Sequence, residues 1–188
     1  MRGLSKRYLS TGFFNGFSRN AIMACGLVFG LLLLSTGSWA ESFSLGSFKA
    51  DLVLIKKSER RLYLMCNGKA VRKYRISLGK NPTGSKQREG DKRTPEGKYI
   101  LDWRNGHSKF YKSIHISYPN EKDMLSARSE GVNPGGMIMI HGIPDDPDYP
   151  EWLFEEIDWT DGCIAVNNRA MDEIWASVDE GTPIKITP

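Results

Sequence analysis

Arg61-Leu62-Tyr63-Leu64-Met65-Cys66-Asn67-Gly68, continued by Lys69 to Leu78, is the stretch on which the fold class turns. Leu62, Leu64 and Cys66 recur with period two and share one face. Asn67-Gly68 tolerates the left-handed backbone of a tight turn, so the runs on either side are expected to pair as a hairpin. Working outward, Leu52 to Lys56 alternates weakly, and Gly97 to Trp103 sets Tyr99, Leu101 and Trp103 against Lys98 and Asp102. Ser113 to Tyr118, Met137 to His141 and Ile184 to Ile186 read as further strands. Two short helices interrupt them. Asn120 with Asp123 three residues on starts one over Glu121 to Glu130, which Gly131 stops. Met171, Ile174, Trp175 and Val178 recur at helical spacing in the other, with Asn167 or Asn168 as cap and Gly181 as terminator. Several antiparallel strands, two helices and long loops predict a mainly β (β-rich α+β) domain of two packed or partly closed sheets.

The N-terminus predicts the compartment. Residues 1–20 carry Arg2, Lys6, Arg7 and Arg19 and no acid, an apolar run spans Ala21 to Leu34, and Ser38-Trp39-Ala40 offers a small-x-small cleavage site. Residues 1–40 therefore read as a secretory signal peptide, and the protein is expected in the periplasm or outside the cell. The apolar run is short for a spanning helix, so membrane contact is expected only through this segment if it stays uncleaved. Residues 41–188 then have the size of one compact domain. Without the four cations of the signal segment, the 26 Lys+Arg fall level with the 22 Asp+Glu. The basic balance of the whole chain thus implies no nucleic-acid partner. The charges are nevertheless segregated, with 18 basic and 6 acidic residues over 49–112 against 4 and 15 over 121–188. A field of this kind across a cleft would orient a zwitterionic substrate.

The candidate chemistry lies in two motifs. Met137-Ile138-Met139-Ile140-His141-Gly142 ends a strand in a histidine, and Thr160-Asp161-Gly162-Cys163 follows as a glycine turn. A cysteine needs a neighbouring base to act as a nucleophile near neutral pH, and His141 facing Cys163 supplies one. Gly162 permits a tight turn whose amides can converge on a developing oxyanion. Cys66 and Cys163 could instead bridge in an oxidising compartment, but the placement of Cys66 before a hairpin turn looks structural. Two loops flank the motifs. Gly79 to Thr94 carries Lys80, Lys86, Arg88, Lys92 and Arg93, cations suited to substrate carboxylates. Ile143 to Trp159 holds seven acids with Trp152, Phe154 and Trp159, and its length suits a lid. His107, His115 and His141 show no metal-ligand spacing, so no metal is expected.

These residues resemble a known family. Ile140-His141-Gly142, Thr160-x-Gly162-Cys163, Ile76-Ser77-Leu78-Gly79 and Thr94-Pro95-x-Gly97 look like the L,D-transpeptidase catalytic domain, also called the YkuD or ErfK type, over about residues 51–187. Lys86 to Asp91, Ile116 to Asn120 and Met171 to Ile174 resemble its YafK-like branch. The resemblance implies a β-sandwich-like fold with two short helices and a long lid loop. It implies cysteine acyl transfer on peptidoglycan stem peptides, without metal or organic cofactor. Cys163 would attack the carbonyl of a diaminopimelate residue, His141 would take the thiol proton, and an amine or water would release the thioester. By position, the Gly142 carbonyl would orient His141, and the Gly162 and Cys163 amides would form the oxyanion hole.

Two departures stand out against the family pattern. Asp161 occupies the place where the family commonly has histidine, and Ala165 the place of an arginine. Arg88, Arg93 and Lys86 are candidate replacements for the arginine, with Tyr118 a further substrate contact. An ionised Asp161 beside a nucleophilic thiol needs a cation, for which Arg93 or Arg88 is expected. Other outcomes of the same fold are hydrolysis, as an L,D-carboxypeptidase or an amidase acting on a wall-attached lipoprotein, and non-catalytic wall binding.

Overall fold

The computed structural model of the chain describes residues 48–144 and 150–188; the signal-segment expectation lies outside them. The expected hairpin is formed by β2 (Arg61–Cys66) and β3 (Lys69–Arg75), antiparallel, with Asn67 at φ 51° and Gly68 at φ 74° in the turn. With β1 (Leu52–Lys56), β4 (Gly97–Ser108), β5 (Tyr111–Ile116), β6 (Met139–His141), β7 (Ile164–Ala165) and β8 (Thr182–Thr187) it builds one eight-stranded sheet in the order β3-β2-β1-β8-β4-β5-β6-β7. The sheet is mixed, because β1 with β8 and β6 with β7 run parallel. Its two ends meet: Ser77, just past β3, bridges Ala165 of β7 through two 2.9 Å backbone hydrogen bonds. The layered, partly closed arrangement therefore comes from a single sheet turning back on itself.

Period-two burial follows the sequence pattern. Val53, Ile55, Leu62, Leu64, Leu101, Ile114, Ile116, Ile140, Ile164 and Ile184 point to one face and are fully or almost fully buried. Each such side chain contributes about 1.5–3 kcal/mol relative to exposure. Helix α3 (Asn168–Ser177) adds Met171 and Ile174 to that core, as its helical spacing predicts. Asn167 is its cap, accepting Ala170 N–H at 2.7 Å, which frees Asn168 for another task. Helix α1 (Glu121–Ser129) has the expected Asn120–Asp123 capping box. A third helix, α2 (Glu151–Glu156), falls inside the long loop, where closely spaced prolines and acids hid it. The strand expected from Met137 starts only at Met139, because Gly135 at φ 74° and Met137 at φ 55° break the extended backbone.

Candidate active site

The cysteine turn is fixed from within. Thr160 is buried; its Oγ1 donates to Cys163 O at 2.8 Å and accepts Gly162 N–H at 3.1 Å, while Thr160 N–H donates to Leu78 O at 3.1 Å. Gly162 sits at φ 130°, and a Cβ there would lie 2.7 Å from Arg93 O, so only glycine fits. This arrangement corrects one expectation. The Gly162 amide is engaged by Thr160 and cannot also face an oxyanion, whereas Cys163 N–H has no acceptor among the described residues. The Cys163 sulfur meets the edge of β6, with Met137 O 3.7 Å away and the Met139 amide favouring the thiolate.

His141 closes β6 and pairs in register with Ala165 of β7. Cys163 lies one strand over and two residues back. Ordinary strand spacing and rise put the two Cα atoms roughly 8 Å apart, within reach for an imidazole and a thiol. Only 3% of His141 is exposed, between the stacked ring of Phe110 at 4.7 Å and the edge of Trp159 at 5.6 Å. Its Nδ1 lies 2.6 Å from Gly142 O. A carbonyl only accepts, so Nδ1 carries the proton and Nε2 keeps the lone pair. The backbone that aims this carbonyl is held at both sides: Gly142 N–H donates to Lys112 O at 3.1 Å, and Ile143 N–H donates to Asn168 Oδ1 at 2.9 Å. A Cβ on Gly142 would come within 2.3 Å of that same oxygen.

Burial pulls the His141 pKa down from 6.5 to about 4, and the hydrogen bond to Gly142 only partly opposes it. Burial also raises the Cys163 thiol, with Asp161 adding to the rise and the Met139 amide and Lys86 working against it. At neutral pH the pair is therefore a thiol and a neutral imidazole, and a base is poised at Nε2.

Cys163 opens on a cleft of about 360 Å³ that Asp161, Glu89, Lys86, Lys92 and Met137 also line. The basic loop divides its cations. Lys86 is buried, donating to Asp91 Oδ1 and Arg88 O at 2.9 Å each, and acts on the thiol only through its charge. Arg93 is half-buried, with its Nη1 3.5 Å from Gln87 Oε1, and Arg88 is exposed outside the cleft lining. Lys92, one of the loop cations but not among the expected replacements for the arginine, is exposed on the cleft wall. Asp161 pairs with Lys80 at 3.5 Å, not with Arg93 or Arg88. The reason is local: Lys80 N–H is hydrogen-bonded to Thr160 O, which brings the two side chains together. Tyr118 is likewise corrected as a substrate contact, being buried against Tyr99 with its hydroxyl donating to Pro134 O at 3.1 Å.

The loop after His141 is fastened at its far end. Ser77 Oγ donates to Phe154 O at 2.6 Å, Trp159 Nε1 to the same oxygen at 3.1 Å, and Arg60 pairs with Asp158 at 2.7 Å. Asp158 Oδ1 in turn accepts Leu78 N–H. Cys66 and Cys163 are both free thiols. Among the described residues no three His, Cys, Asp or Glu side chains gather as a metal site. Asn168, Thr160, Phe110 and Trp159 complete the setting of the two reactive side chains. Only tertiary contacts reveal their parts.

Comparison with known proteins gives a consistent picture. The family model described as YkuD, L,D-transpeptidase catalytic domain, matches residues 50–186. YafK of Escherichia coli (strain K12) is 35% identical over 108 residues, which are 56% of this chain and 36% of the relative. The crystal structure of the helical cell shape determining protein Pgp2 from Campylobacter jejuni aligns at 28% identity and TM-score 0.54, covering 72% of this chain and 46% of Pgp2. Bd1075 of Bdellovibrio bacteriovorus shares the fold at 24% identity and TM-score 0.52, covering 74% of this chain and 48% of that one. The matched regions thus span well under two thirds of these longer proteins.

Proposed function

The chain belongs to the L,D-transpeptidase catalytic-domain family, and from that premise we propose that it is a periplasmic cysteine acyltransferase acting on peptidoglycan stem peptides. The observation that carries the reading is the fixed tautomer of His141, which holds an unprotonated Nε2 beside the strand leading from Cys163. In the proposed reaction Nε2 takes the thiol proton as sulfur attacks the carbonyl of the diaminopimelate residue. Cys163 N–H faces the oxygen that becomes negative. The C–N bond to D-alanine then breaks, the imidazolium returns its proton to the leaving amine, and a thioester remains on Cys163. An amine from a second stem peptide attacks the thioester to form the cross-link and regenerate the thiol.

Hydrolysis is the second reading, supported by Asp161. This carboxylate is exposed at the mouth of the cleft, where a histidine is common in the family, and is suited to orient water. In that case the products are free acid ends, and a protein amine joined to diaminopimelate would be a substrate. The likeness to Pgp2 supports a role in cell shape for either outcome. The signal-like segment supports export. Incubating the protein with disaccharide-tetrapeptides, and separately with lipoprotein-linked muropeptides, tests both readings by mass spectrometry. Cross-linked dimers with released D-alanine mean transpeptidation. Released protein or tripeptide means hydrolysis, and unchanged substrates in both arms would refute catalysis.

A further inference from the structure

We propose that the open face of the β1-β8-β4 part of the sheet is a second binding site, one that grips a carboxylate-bearing strand of the wall polymer away from the catalytic cleft. The inference rests on the reading above that the chain works on peptidoglycan. Alternation along the strands turns Leu52, Ile100 and Pro183 away from the core, and with Lys98, Lys185 and Ser117 they line a groove of about 680 Å³. None of these residues lines the Cys163 cleft.

Charge placement in this groove is unfavourable for the isolated protein. Lys98 and Lys185 are direct partners in the antiparallel β4–β8 register, which brings two ammonium-bearing side chains side by side. Like charges directly opposite each other destabilise a sheet. Among the described residues no carboxylate lies within ion-pair distance of either, although nine other Lys or Arg side chains pair with a carboxylate. Lysines often guard exposed sheet edges against pairing, but β8 and β4 lie inside the strand order and have no edge to guard. The register extends the line across the sheet, from Lys185 to Leu54, Tyr63 and Lys73. Five strands at their usual spacing span roughly 19 Å, the scale of a polymer segment and not of a single small anion.

An apolar floor with cations on its wall fits the aliphatic and carboxylate groups of stem peptides. The concavity favours a strand-like polymer over a bilayer surface. Cations here would hold the insoluble substrate while the Cys163 cleft receives one peptide from it.

The test uses the protein carrying Cys163→Ala, so that turnover cannot consume the ligand, co-sedimented with purified peptidoglycan sacculi. Binding should fall with added salt, Lys98→Glu/Lys185→Glu should bind roughly tenfold more weakly, and Lys98→Arg/Lys185→Arg should bind as before. With Cys163 present, the charge-reversed protein should keep its kcat/KM on a soluble tetrapeptide and lose rate on sacculi alone. Equal sacculus binding by the reversed and unreversed proteins would overturn the proposal. So would a matching loss on the soluble peptide, or binding to equimolar phosphatidylcholine–phosphatidylglycerol vesicles in place of sacculi. Because the sedimentation arm needs no chemistry at Cys163, a missing acyl-enzyme with intact lysine-dependent binding would remove the catalytic reading and leave the groove.

Discussion

The reactive pair, with His141 at the end of β6 and Cys163 just ahead of β7, and the basic loop over residues 79–94 are both pinned by contacts outside the strand ladders, yet they are built in opposite ways. At His141 every contact fixes the reactive group: two aromatic rings clamp it, Gly142 O sets its tautomer, and Asn168 with Lys112 sets Gly142. In the basic loop the contacts hold the backbone. Lys57, buried beneath it, donates to Gly84 O, Thr94 O and Glu96, and Lys86 is occupied by Asp91. The first region is rigid around a chemical group, and the second is rigid around a wall that presents Lys92. A cation in a sequence motif can thus serve the fold instead of the substrate.

The contrast is broken most severely at the reactive pair. Cys163→Ala should abolish turnover while thermal stability stays within about 1 kcal/mol, since a small side chain is lost from a turn; activity assay and melting together decide this. His141→Ala should slow acylation by on the order of 10²-fold or more. The pH dependence follows from its environment. With the folded pKa near 4 and an ordinary value of 6.5, the acid limb of kcat/KM in the free protein should lie near 4. Because the folded pKa is depressed, the unfolded chain binds the extra proton first as pH falls. Stability should therefore be full above about 6.5 and decline toward 4. Denaturation midpoints of His141→Gln should lack that slope. Iodoacetamide should alkylate Cys163 only slowly at pH 7, with the apparent pKa raised above the ordinary thiol range by burial.

Asn168→Ala comes next. It leaves Ile143 N–H without its partner and loosens the aim of Gly142, so acylation should drop roughly tenfold or more while the Cys163 alkylation profile stays unchanged. An equal effect from Tyr118→Phe would mean that any local loosening suffices. On the other side of the comparison, Lys57→Met should leave several carbonyl and carboxylate acceptors unmatched and lower stability by about 1–3 kcal/mol, read from urea denaturation.

The difference between the regions also explains what could be read from the sequence. The hairpin at Asn67-Gly68, the capping box at Asn120 and the apolar face of α3 are local signals, and each stands where period and turn chemistry place it. His141 and Cys163 were legible because a strand end and a glycine turn are local features too. The closure through Ser77 and Ala165 was not, since it joins residues 88 positions apart by backbone bonds alone. Which of five loop cations would be buried depended on Asp91, and the choice of Lys80 for Asp161 on a backbone bond to Thr160. Sequence spacing carries no record of those contacts.

The smallest effects sharpen this last point. Asp161 is exposed and its pair with Lys80 is long, so Lys80→Ala should raise the apparent thiol pKa only slightly, and Asp161→Asn should lower it. Arg93→Ala and Arg88→Ala should leave the alkylation profile in place. A larger shift from either arginine than from Lys80 would reverse the assignment of the partner.

If Cys163 forms an acyl-enzyme with His141 as its base, the covalent adduct can be caught directly. Intact mass spectrometry after brief exposure to a carbapenem, followed by peptide mapping, tests this most directly. A single stoichiometric adduct is expected on the peptide containing Cys163, formed at least about 10²-fold more slowly in His141→Ala and absent in Cys163→Ala. An adduct on Cys66, no adduct in the unmodified sequence, or equal rates with and without His141 would contradict it.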